Sequence, residues 1–122
     1  QRFQVERYIE YQGDKLVRRF DANSYLLLTK AMDLHDLGRG RGGMDGAFAR
    51  LRAPLLSVGV DSDILYPPHQ SREIVELATL AGRPATYAEL DSPHGHDAFL
   101  IESDQLGAII REFLARVEAS DA

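Results

Sequence analysis

Hydrophobic and polar positions alternate in two ways along this chain. Between Phe3 and Tyr11, the residues Phe3, Val5, Tyr8, Ile9 and Tyr11 recur among polar neighbours at the three-to-four spacing of an amphipathic helix. Gly13-Asp14 is expected to interrupt it, and Lys15 to Phe20 to resume a short helix with Leu16, Val17 and Phe20 on one side. Asp21-Ala22-Asn23 offers capping residues for a further helix over about Ser24 to Leu34. That helix is apolar nearly all round (Tyr25, Leu26, Leu27, Leu28, Ala31, Met32, Leu34) and so predicts burial between partners or a dimer contact.

His35 to Gly43 reads as a loop, because four glycines in the six residues from Gly38 to Gly43 remove helix preference. It resembles a phosphate-cradling loop only superficially, since such a loop follows a strand and this one follows a helix. Asp45 to Leu51 predicts a short helix that ends before Pro54.

From there the pattern changes. Leu55-Leu56-Ser57-Val58-Gly59-Val60 is a nearly continuous apolar run between Pro54 and Asp61, as in a strand buried on both faces of a parallel sheet. A helix follows from His69 to about Ala81 with Ile74, Leu77, Ala78 and Ala81 on one stripe and Gly82 as its C-terminal stop. Ala85 to Leu90 predicts a second strand. After a polar stretch where a long amphipathic helix is expected to begin, Ser103 is placed to cap a helix whose Leu106, Ile109, Ile110, Phe113, Leu114 and Val117 step by 3, 1, 3, 1 and 3. Strand, helix, strand, helix is the order of a parallel α/β sheet with a right-handed crossover. Two parallel strands lack independent stability, so the sequence is expected to be the C-terminal part of a larger α/β protein.

With 44% hydrophobic and 27% charged residues the chain reads as globular rather than disordered. No apolar run reaches about 18 residues, and the opening Gln1 to Glu6 lacks the plan of a signal peptide, so neither membrane insertion nor export is expected and a cytoplasmic location is the default. The absence of cysteine removes disulfides, thiol nucleophiles and Cys-type zinc sites. Charge is uneven: residues 1–52 carry ten Lys/Arg against seven Asp/Glu, residues 53–122 four against twelve, or +3 and −8. The dense basic spots, Arg18-Arg19 and Arg39-Gly40-Arg41, are too small for the counterion release that nucleic-acid binding requires.

Candidate chemistry gathers in the two loops after the strands, where ligands of open parallel sheets sit. One loop supplies Asp61 and Asp63, the other His94, His96 and Asp97. A carboxylate after one strand and a histidine after the next can meet as orienting acid and general base, in the chain order of the α/β-hydrolase triad. Bland readings stand beside this one. The aspartates suit turn or cap positions, and His94-Gly95-His96 with Asp97 has the ligand types of a weak metal site. His35 and His69 read as surface or cap histidines. No Gly-x-Ser-x-Gly occurs, and none of the serines at 24, 57, 62, 71, 92, 103 and 120 sits on a strand-to-helix elbow.

Four blocks in order, Phe20-Asp21-Ala22-Asn23-Ser24-Tyr25, Ala31 to Gly40, Asp61-Ser62-Asp63-Ile64-Leu65-Tyr66-Pro67-Pro68 and Ser92 to Leu100, closely resemble the homoserine O-acetyltransferase family over almost the whole chain. The resemblance implies the C-terminal portion of an α/β-hydrolase fold, two parallel strands with flanking helices, preceded by helices of the lid region. On it, residues 1–45 are the end of the helical lid and residues 46–122 the part that carries the triad acid and base. It implies Asp63 rather than Asp61 as triad acid, His96 rather than His94 as base, and Asp97 as the residue that holds the amino group of homoserine. It also implies no metal and no tightly bound cofactor, acetyl-CoA as co-substrate, L-homoserine as acceptor, and a homodimer formed through lid helices. The nucleophilic serine and oxyanion hole would belong to a missing N-terminal part of the same enzyme. An esterase or other hydrolase of the same fold, a homoserine or serine O-succinyltransferase and a non-catalytic fragment are the alternatives.

Overall fold

The structure, a computed structural model, describes residues 3–120. Residues 1, 2, 121 and 122, at the outer ends of the segments 1–45 and 46–122, lie outside the described residues. The chain forms two compact units, divided between Asp36 and Leu37.

The first unit holds α1 (Gln4–Arg19) and α2 (Ala22–Asp33). The interruption expected at Gly13-Asp14 does not occur, and α1 runs through it as one helix. A lone glycine weakens a helix by only about 1 kcal/mol relative to alanine. The strong amphipathic pattern on either side carries the hydrogen-bond ladder across it, with Glu6 Oε2 accepting from Phe3 N at 2.9 Å at one end and Arg18 and Arg19 in the last turn at the other. Asp21 caps α2, its Oδ2 accepting from Ser24 N at 2.7 Å, and this bond holds its carboxyl below the ordinary value. Phe20 and Tyr25 meet edge to face, with ring centroids 5.9 Å apart. The apolar faces of both helices are open: Val17 is 78% exposed and Leu27 68%.

The second unit begins with a glycine turn in which Arg41 N and Gly43 N donate to Gly38 O at 3.0 and 3.3 Å. Gly38 is buried there, and a Cβ on it would lie 2.8 Å from the Gly43 carbonyl carbon. α3 (Gly43–Phe48) starts and ends earlier than its apolar pattern suggests and passes into turns before Pro54.

β1 (Leu55–Val60) and β2 (Ala85–Leu90) have the bounds expected from the sequence and pair in parallel, from Leu55 opposite Ala85 to Val60 opposite Leu90. α4 (Pro68–Leu80) joins them and packs on both strands. Pro68 takes the first helical position, where its missing N–H is no loss. At the other end Gly82, at φ +70°, lets its own N–H reach Thr79 O and the Arg83 N–H reach Ala78 O, both at 2.9 Å, a Schellman stop. Beyond β2 the expected long helix is preceded by a 3-10 turn (Gly95–Asp97) and a four-residue helix α5 (Ala98–Ile101) before α6 (Ser103–Ser120). Glu102, at φ −87° and ψ 49°, breaks the helical path, and Ser103 is the first residue of α6 rather than a flanking cap.

Val60, Leu90 and Ala98 form the buried core, with Val58, Leu106 and Ile109 against it. The opposite pleat carries Gly59, Tyr87 and Glu89. Tyr87 donates its hydroxyl to Glu89, Arg72 of α4 pairs with the same carboxylate, and its guanidinium lies 4.9 Å from the Tyr87 ring centroid. Burial and the Glu89 carboxylate push the Tyr87 phenol up to about 12.

Candidate active site

The register ends β1 and β2 level, at Val60 and Leu90, so the two polar loops leave the sheet side by side. Asp61 N donates back to Leu90 O at 3.1 Å, which turns the first loop across the end of the second strand. Asp63 follows and is buried, only 6% exposed. One of its oxygens, Oδ1, accepts from Leu65 N at 2.8 Å and Tyr66 N at 3.0 Å; the other, Oδ2, lies 2.7 Å from Nδ1 of His96. Burial raises the Asp63 pKa, but the bonds from Tyr66, His96 and Leu65 outweigh it and leave the carboxyl below its ordinary value.

An ionised Asp63 can only accept, so Nδ1 of His96 carries a proton, and in the neutral imidazole Nε2 then keeps its lone pair. Among the described residues no hydrogen bond engages Nε2. Tyr66 and Phe99 flank the imidazole, with centroids 4.8 and 5.5 Å away. Val58, Val60, Ser71, Leu90 and Leu106 join these groups around a pocket of about 190 Å³. A carboxylate that fixes the tautomer behind an imidazole with a free outer nitrogen is a general base in want of a substrate proton.

The other candidates are placed differently. Asp61 does not meet an imidazole; its Oδ1 accepts from Ser92 N at 3.0 Å. His94 is exposed, and its backbone N, not its ring, bonds to Ser92 Oγ at 3.3 Å. Asp97 is exposed at the end of the 3-10 turn beside His96, and no hydrogen bond among the described residues ties down its carboxylate. His69 and His35 lie outside the pocket, His35 in the other unit. No group of three or more His, Asp or Glu among the described residues comes together in a way that could hold a metal ion. No described helix is long and apolar enough to cross a membrane.

Sequence reasoning missed the residues that fasten the two loops together. Ser92, 2% exposed, donates its hydroxyl to Glu102 Oε1 at 2.9 Å, and Ser62 Oγ donates to Ser92 O and accepts from Gly95 N at 2.9 Å. Small polar residues at the ends of apolar strands were the available signal for the serines. Glu102 had none. No described serine bonds to His96.

Acid and base on consecutive parallel strands, at their carboxyl edge, define the acid–base end of an α/β-hydrolase fold. No family model matches the chain. It is 56% identical to the homoserine O-acetyltransferase of Carboxydothermus hydrogenoformans over 95% of its own length and 31% of that protein. To that of Thermus thermophilus it is 56% identical over 89% of the chain and 28% of the relative. A crystal structure of homoserine O-acetyltransferase from Bacillus anthracis superposes with a TM-score of 0.81 at 26% identity, covering 93% of the chain and 31% of that protein. The chain thus spans about a third of the length of the relatives it matches, and the resemblance read from its four sequence blocks is a homology to part of the homoserine O-acetyltransferases.

Proposed function

We propose that this chain supplies the acid–base half of a homoserine O-acetyltransferase whose nucleophilic serine and oxyanion hole lie in another part of the same longer enzyme. The observation that carries the reading is the 2.7 Å contact between Asp63 and a His96 whose outer nitrogen is free, in a chain 56% identical to such enzymes. In the first step His96 Nε2 takes the serine hydroxyl proton as the serine oxygen attacks the thioester carbonyl of acetyl-CoA. The C–S bond breaks, and the coenzyme A sulfur leaves with the proton that His96 returns. In the second step His96 takes the proton of the γ-hydroxyl of L-homoserine, whose oxygen attacks the acetyl-serine. The ester to serine breaks, and serine regains its proton. Asp63 stabilises the imidazolium in both steps.

Asp97, next to His96 and with no hydrogen bond to its carboxylate among the described residues, is the residue we assign to the amino group of homoserine. No tightly bound cofactor or metal is needed; acetyl-CoA is a co-substrate. Residues 1–45 act as the end of a lid, whose open apolar helices suit both exclusion of water from the acyl-enzyme and a homodimer contact. On this reading the enzyme serves methionine biosynthesis in the cytoplasm.

The test is a chimaera in which this chain replaces the segment it matches in the Carboxydothermus enzyme. Mixed with acetyl-CoA, it should accumulate an acetylated serine that homoserine discharges much faster than water does. Equal release by water alone would make the protein an esterase.

A further inference from the structure

One hydroxyl touches the backbone on both sides of the acid–base pair. Ser62 directly precedes Asp63, and its Oγ donates to the carbonyl of Ser92 and accepts from the N–H of Gly95, at 2.9 Å, directly before His96. Gly95 stands at φ +58°, in the left-handed region where a glycine is least restrained by its own backbone. Ser92 is anchored in turn, with its N–H on Asp61 Oδ1 at 3.0 Å and its hydroxyl on Glu102 Oε1 at 2.9 Å. The His96 side chain is 41% exposed and, among the described residues, is held by a single hydrogen bond and two ring contacts. Where its Nε2 sits is therefore decided largely by the backbone from which the ring hangs.

Resting on the reading of Asp63 and His96 as acid and base, we propose that Ser62 is a positioning residue: its hydroxyl locks the Ser92–Gly95 turn to the Asp63 loop and so sets the reach of His96 toward the serine. It touches no reacting atom. Without it Gly95 N–H loses its acceptor and Ser92 O its donor, and the turn can relax while Asp63 keeps its bonds to Leu65 and Tyr66. A displacement of about 1 Å at a reacting group lowers turnover on the order of 100-fold.

The experiment compares Ser62→Ala, Ser62→Cys and Ser62→Thr in the chimaera. Alanine should lower kcat on the order of 100-fold with KM for acetyl-CoA and Tm nearly unchanged, and should shift or broaden the low-field proton resonance of His96 Nδ1–H. Threonine, which keeps the hydroxyl, should restore most of kcat. Cysteine fills the same space with a poor hydrogen-bonding group, so it should behave as alanine does and serves if the alanine variant does not fold. An unchanged kcat, a loss that tracks Tm, or an unmoved imidazole resonance would overturn the positioning role. A folded, unsubstituted chimaera that transfers no acyl group would instead overturn the functional reading on which it rests.

Discussion

Asp63 and His96, 33 positions apart in the chain, meet with Oδ2 and Nδ1 2.7 Å from each other at the level ends of two parallel strands. His94, two residues before His96, is exposed, does not line the pocket and is tied to the loop through its backbone N–H on Ser92 Oγ. In the chimaera, His96→Ala should therefore lower the rate of acetyl-serine formation by about 10⁶-fold, the scale seen when a base that works with a serine is removed. His94→Ala should leave most of it. Rapid-quench measurement of acyl-enzyme checks this, and the reverse ranking refutes the assignment.

Asp63→Asn should cost about 10⁴-fold in kcat by presenting the imidazole with the wrong tautomer, whereas Asp61→Asn should cost little, since its amide oxygen can still accept from Ser92 N. The same carboxyl links stability to pH. Its pKa in the folded protein lies below the unfolded value of about 3.9, so its contribution is fully present above that pH and is lost as pH falls through the lower, folded value. Acid unfolding followed by circular dichroism should be shallower in Asp63→Asn than in the parent below about pH 4.

Gly59 lies under the Tyr87 hydroxyl. A Cβ there would stand 2.7 Å from that oxygen and 3.3 Å from Pro68 Cα, so Gly59→Ala should destabilise by about 1–3 kcal/mol in urea unfolding. Adding Tyr87→Phe should recover part of the loss, because the nearest remaining contacts are 3.3 and 3.4 Å. Tyr87→Phe alone should remove a phenol ionisation near pH 12 from the ultraviolet titration. Because the Tyr87 pKa is raised on folding, its contribution is present below the unfolded value of about 10 and is lost as pH climbs toward 12.

The 122-residue chain by itself should bind a hydrophobic dye and self-associate. Leu26, Leu27, Met32, Ile64 and Leu100 are each at least 65% exposed, and the sheet has two strands. Dye fluorescence and sedimentation at several concentrations decide it; a monodisperse chain with a sharp unfolding transition would contradict the expectation.

The strands were legible because their signal is local. A continuous apolar run closed by Pro54 and Asp61 leaves little choice of bounds, and the stripe from Leu106 to Val117 is as plain. Gly13 misled because its local penalty is small against the amphipathic pattern on either side of it. The short helix between Asp97 and Glu102 was hidden inside a pattern that reads equally well as the start of α6. The loops showed which residue types could react, but not that Asp61 would face Ser92 while Asp63 faced His96. That division depends on bonds spanning 30 to 33 positions, from Ser62 to Ser92 and Gly95, which exist only once the strand register is set.

That register has an evolutionary consequence. With Val60 opposite Leu90, the span from acid to base is set by the spacing of two adjacent strands, about 4.8 Å, and not by the chain that joins them. The far end of the connection, around the Gly82 stop, can therefore gain or lose residues over generations without retuning the chemistry so long as β1 and β2 stay in step, whereas the turn that holds Asp63 through Leu65 and Tyr66 cannot. A slip of one residue, by contrast, would turn the inward side chains of a strand outward and part the two loops at once. Variation is thus easier at the Gly82 end of the connection than across the paired strands or in the Asp63 turn.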